Sequence, residues 1–161
     1  LGIGPLPEKA VNLSIAMRLA RLLAASGIDV VTTRSSDHFI PLDGRAEIAE
    51  RNDADLFVSI HADTNPSSEI SGATIYIARD ASALSRRAAG SIVNALGRGG
   101  VECRGIRRAG FRVLVGHSRP AVLVECGYLS NAFEARRLSQ PGHQAKVAAA
   151  LAEGITNFLS R

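Results

Sequence analysis

The chain has no tryptophan, and aromatic residues make up only 4% of its 161 positions. That scarcity argues against a stacking platform for single-stranded nucleic acid, which needs several exposed rings. Cysteine is nearly absent too: Cys103 and Cys126 can form one disulfide or none. Cys126 stands in an apolar run and reads as a small core residue rather than a redox centre. No run approaches eighteen apolar residues, so nothing in the sequence spans a membrane. Internal repeats and low-complexity linkers are lacking as well. The opening stretch "LGIGPLPEKA" carries neither a Met nor a signal peptide, and reads as the start of a processed or cut-down product.

What is present is a globular composition, 46% hydrophobic and 21% charged, long enough for one domain with a proper core. The net charge of +4 is modest and the basic residues are scattered. Their densest group, Arg104 to Arg112, either faces an anionic polymer such as nucleic acid or a cell-wall glycan, or is a solvated loop.

Strand-like and helix-like patterns alternate. Residues 8–26 place Val11, Ile15, Leu19, Leu22 and Leu23 on one face, with Pro7 at the first helical position and Gly27 as the stop. "DVVTTR" (29–34) reads as a strand, and 42–52 as a helix after Pro41. Strands are expected over 55–60 and 72–78, and a helix over 80–97. "FRVLV" reads as a short strand and 121–126 as a buried one. Asn131 with Glu134 fits a helix cap with its reciprocal partner. A last helix occupies 143–159. The fold class is α/β, a single layered domain over residues 1–161 with a largely parallel sheet.

Three residues stand out. "DADLFVSIHAD" (53–63) runs apolar to His61, where an interior strand meets its loop, the end at which ligands collect in open α/β sheets. The bland alternative is a solvated loop histidine. In "AVLVECGYLSN", Glu125 follows four apolar strand residues, and a buried carboxylate needs a partner, a metal or a polar cleft. A salt bridge to an arginine is the alternative there. Glu8, in the first turn of the first helix, complements the helix dipole, yet also stands at an element boundary. A neutral imidazole with a carboxylate is a normal partial zinc shell, and a second, uncoordinated carboxylate beside it serves a zinc hydrolase as general base. The Ser59–His61 pair lies on one face inside a strand, without the sharp nucleophile turn of a serine hydrolase.

The segments "EKAVNLSIAMRLARLL", "VVTTRSSDHFIPLDGRAEIAERNDADLFVSIHAD", "GATIYI" and "RPAVLVECGYLSN" resemble, in order and spacing, the zinc-dependent N-acetylmuramoyl-L-alanine amidases. These are cell-wall hydrolases of the AmiA/AmiB/AmiC and CwlV type. The resemblance covers nearly the whole chain. It implies a mixed, mostly parallel sheet of about six strands flanked by helices. It also implies zinc-dependent hydrolysis of the amide between N-acetylmuramic acid and L-alanine in peptidoglycan, in the setting of autolysis and cell division. Carried over by position, Glu8 and His61 match two metal ligands and Glu125 the catalytic glutamate. Arg34, Arg45 and Asn52 match structural positions, and Asp63 stands where the family more often has Asn.

One departure matters. The family's first ligand is a histidine in a turn after an N-terminal strand, and the sequence begins beyond that point. His38 reads as a surface residue, His117 lies at the wrong end of the strand carrying Glu125, and His143 heads the last helix. The strand is therefore expected from residues outside the sequence or from a partner chain. The resemblance further implies peptidoglycan, glycan strand and stem peptide, as partner, and a periplasmic or secreted, cell-wall-associated location. A protein activator is left open, and the short stretch from Tyr76 to Ser82 leaves no room for the plug helix that some members carry. Competing readings are a zinc peptidase cutting another bond, a nucleic-acid-binding domain, and a non-catalytic cell-wall or partner-binding module with an incomplete metal site.

Overall fold

The alternating pattern forms an α/β sandwich around a four-stranded sheet in the computed structural model, which describes residues 5–34, 36–37 and 39–160. The first helix, α1 (Glu8–Ala25), follows Pro7, whose fixed φ of −66° suits the cap position, one residue earlier than expected. It ends in a Schellman motif: Gly27 at φ 80° lets its N–H reach Ala24 O and the Ile28 N–H reach Leu23 O. Val11, Ile15, Leu19 and Leu23 face the core, whereas Leu22, expected beside them, is exposed.

After α2 (Leu42–Arg51) come β1 (Phe57–Asp63), β2 (Ala73–Ile77), α3 (Ala83–Arg98) and β3 (Cys103–Arg108). A single turn, α4 (Arg112–Val115), leads into β4 (Ala121–Tyr128), and α5 (Ala132–Leu138) and α6 (Pro141–Leu159) close the chain. The sheet order is β1-β4-β2-β3. β1 with β4 and β2 with β3 are parallel, and β2 with β4 is antiparallel, so the sheet is mixed and mostly parallel.

Strand periodicity divides the sheet into two unlike faces. Val122, Val124, Cys126, Ile75 and Ile77 point into the main core under α1, α3 and α6. Each such aliphatic side chain contributes roughly 1.5–3 kcal/mol by leaving water. The opposite face carries a small cluster, with Phe57, Ala121 and Leu123 under Val113, Leu114 and Ala49. This thinly covered face holds the polar residues.

Three expectations are corrected. The sheet has four strands among the described residues rather than about six. Residues 29–34 form no ladder among them: Ile28 and Val30 pack on the core, but a groove of about 1340 Å³ lies between the segment and the free edge of β1 and is lined by both. Leu13, Val30, Val58, Ile60 and Phe158 line it. Residues 112–115 are a helical turn, not a strand, because that turn lets the consecutive Val113 and Leu114 both enter the small cluster. Conversely, part of the basic stretch is strand β3, an edge strand, the place where a sheet tolerates charge.

Candidate active site

His61 and Glu125 occupy one rung of the sheet. The parallel register pairs them directly, and the antiparallel register places Thr74 on the other side of Glu125. Both lie inside their strands rather than at the strand ends expected from the sequence, since β1 continues to Asp63 and β4 to Tyr128. Strand alternation turns both toward the thinly covered face. α1 brings Glu8 to the same place: its Oε1 lies 3.5 Å from His61 Nδ1 and accepts from Asn12 Nδ2 at 3.2 Å. The other ring nitrogen of His61, Nε2, is 2.9 Å from Ser59 Oγ.

Glu8, His61, Asp63 and Glu125 share a cavity of about 210 Å³, walled by Phe111 and Leu123. Glu125 is 4% exposed, and its Oε2 is buried without a hydrogen-bond partner among the described residues. Burial, with the Asp63 and Glu8 carboxylates nearby, pushes its pKa up to about 8. Burial also pulls the His61 imidazole below its ordinary value, outweighing the opposing effect of Glu8. An arginine salt bridge to Glu125, the alternative left open by the sequence, is not found among the described residues.

The geometry suits a cation. A carboxylate and an imidazole nitrogen face each other, the second ring nitrogen is hydrogen-bonded, and an unpartnered carboxylate oxygen lies beside them. Among the described residues, however, no group of three His, Cys, Asp or Glu side chains could hold a metal ion. Glu8 and His61 thus fit two corners of a shell, not a whole one.

The remaining histidines lie elsewhere. His117 Nε2 pairs with Val113 O at 2.8 Å and its ring packs edge-on to Phe57, near the start of β4. His143 sits in the first turn of α6, half-buried rather than solvated. Burial, then Arg137 and Lys146, hold its pKa down to about 4. His38 lies outside the described residues. Arg34, Arg45 and Asn52 each donate to backbone carbonyls, of Lys9, Ile40 and Ile48 respectively. Both cysteines are free, and Cys126 is in the core.

Two supports escaped the sequence reading. Glu134 does not return to the backbone of Asn131. Its buried carboxylate accepts from Gly72 N at 2.9 Å and Tyr128 N at 3.2 Å, tying together the site ends of β2 and β4. Asn131 Oδ1 still caps α5 by accepting from Glu134 N. Tyr128 OH and Thr74 Oγ1 are 3.0 Å apart, buried beside Glu125. A Glu in a capping box was the visible signal, but its true partners are Gly72, 62 residues away, and Tyr128 at the end of β4.

The profile of the N-acetylmuramoyl-L-alanine amidase family matches residues 2–157. The chain is 39% identical to the N-acetylmuramoyl-L-alanine amidase LytC of Bacillus subtilis over 94% of its own length, but spans only 31% of that protein. It is 33% identical to AmiA of Escherichia coli, an amidase of the same name, covering 94% of this chain and 68% of that one. Among solved structures it is similar to the catalytic domain of CwlV, the N-acetylmuramoyl-L-alanine amidase of Bacillus (Paenibacillus) polymyxa var. colistinus. That likeness has a TM-score of 0.86 and 38% identity, covering 99% of this chain and 90% of the other.

Proposed function

The chain belongs to the N-acetylmuramoyl-L-alanine amidase family, and on that premise we propose that it is a zinc-dependent hydrolase of peptidoglycan. It would cleave the amide between the lactyl group of N-acetylmuramic acid and L-alanine of the stem peptide, with residues 1–161 as its catalytic unit. The observation that carries this reading is the single rung shared by His61 and Glu125, with Glu8 3.5 Å from the imidazole.

In this reading Glu8 Oε1 and His61 Nδ1 would hold the metal, and a third protein ligand would come from outside the described residues. Zinc bound there would polarise the scissile carbonyl and lower the pKa of its water to about 7. Glu125 is the proton carrier. Its unpartnered Oε2 accepts the proton from the attacking water and delivers it to the leaving amine nitrogen, so that one amide and one water become a carboxylic acid and a free alanine amine. Phe111 forms part of the cleft wall beside these groups.

The connection from Ile77 to Ala83 is short, and in this reading it carries no plug helix to cover the cleft. No helix among the described residues is long and apolar enough to cross a membrane, and the substrate places the activity outside the cytoplasmic membrane, in cell-wall turnover such as autolysis or division. The test is product analysis on purified peptidoglycan. New amino termini should be alanine alone. New reducing sugar ends, or another freed amine, would mean that a different bond is cut.

A further inference from the structure

Ser59 is buried beneath His61 and takes no part in the proposed hydrolysis. It is 6% exposed, it lies two residues before His61 on the same face of β1, and its Oγ is 2.9 Å from His61 Nε2. It shows no other side-chain hydrogen bond among the described residues. That single bond is what satisfies the buried hydroxyl.

A neutral imidazole carries one proton and has one free lone pair, and the partner of one nitrogen decides which is which. At His61 two partners compete. If Nδ1 carries the proton, it donates toward Glu8 Oε1, 3.5 Å away, the Ser59 hydroxyl donates to Nε2, and the Nδ1–Oε1 pair is closed to a cation. If Nε2 carries it, Ser59 Oγ accepts, and Nδ1 and Oε1 both present lone pairs to the space between them.

We propose that Ser59 is a positioning residue that accepts the His61 Nε2 proton in the tautomer whose free Nδ1 binds zinc together with Glu8. The proposal rests on His61 being a zinc ligand. Its role is therefore in metal affinity, and the hydroxyl needs no nucleophilic function. A ligand histidine's hydrogen-bond partner commonly sets affinity on a scale of about 10–100-fold.

The test is zinc affinity by competition with a chromophoric chelator, on the parent chain and on Ser59→Ala, Ser59→Thr and His61→Ala. Ser59→Ala removes one atom and leaves the strand able to fold. It should bind zinc about 10–100-fold more weakly, and Ser59→Thr, which keeps the hydroxyl, should recover most of that loss. Thermal melts confirm that each variant is folded. An Ala variant with the parent's affinity, or a folded Thr variant as weak as the Ala variant, overturns the proposal. His61→Ala separates the two ideas: if it too binds like the parent, the ligand reading itself has failed.

Discussion

Glu125 faces His61 across one rung of the β1–β4 ladder, and Glu8 reaches the same imidazole from the head of α1 at 3.5 Å. Two strands and one helix therefore deliver the three candidate side chains to one small cavity, each on a rigid element. Such placement holds catalytic groups to tighter tolerances than loops do.

Replacing His61 by Ala removes one of the two proposed zinc ligands among the described residues. Zinc per chain, measured by elemental analysis after dialysis, should fall from near one to near zero, and activity with it. An unchanged zinc content would take His61 out of the ligand set. A parent chain that itself neither carries nor rebinds zinc would favour the non-catalytic binding module instead.

Glu125 should also limit stability. Its pKa is held up to about 8 in the folded chain, against 4.5 when exposed. Without zinc the folded state keeps a proton that the unfolded state releases above pH 4.5. The contribution is whole below that pH and is lost as pH rises through about 8. Glu125→Gln is neutral throughout. In chelator its melting temperature should exceed the parent's by about 4 °C or more at pH 8, and the two should converge near pH 4. Equal melting temperatures at pH 8 would contradict this account of the site.

Gly127 is a test of the Glu134 tie. A Cβ there would lie 2.5 Å from Glu134 Oε1 and 2.7 Å from its Cδ, and the carboxylate cannot retreat without losing Gly72 N and Tyr128 N. Gly127→Ala should cost about 1–3 kcal/mol in urea unfolding and lower activity as the end of β4 shifts. A fully stable, fully active variant would show that the tie does not matter.

Much of this was legible in the residues. Helix periodicity placed α1, and the apolar runs at 55–60 and 121–126 placed β1 and the central strand β4, because burial on such a sheet demands them. Glu8, His61 and Glu125 were readable as a set, and the structure brings them together. What failed was non-local. Residues 29–34 have strand composition, but a strand needs a neighbour to pair with, and none is present among the described residues. Residues 103–108 look like a basic loop, and become an edge strand only because β2 offers them a ladder. "FRVLV" has β-prone residues, yet the small cluster beneath it rewards a turn. Ser59 was visible only as a rejected nucleophile, since the sequence shows its spacing from His61 but not which ring nitrogen it meets.

The most direct test of the central claim is turnover of Glu125→Gln on purified peptidoglycan, with alanine amino termini and zinc per chain measured on the same sample. The account predicts that release of alanine termini falls by about a thousandfold or more while zinc stays at the parent's level, because the variant keeps the shape of Glu125 but cannot carry the proton. A folded, zinc-loaded Gln variant with activity within a few-fold of the parent would contradict it.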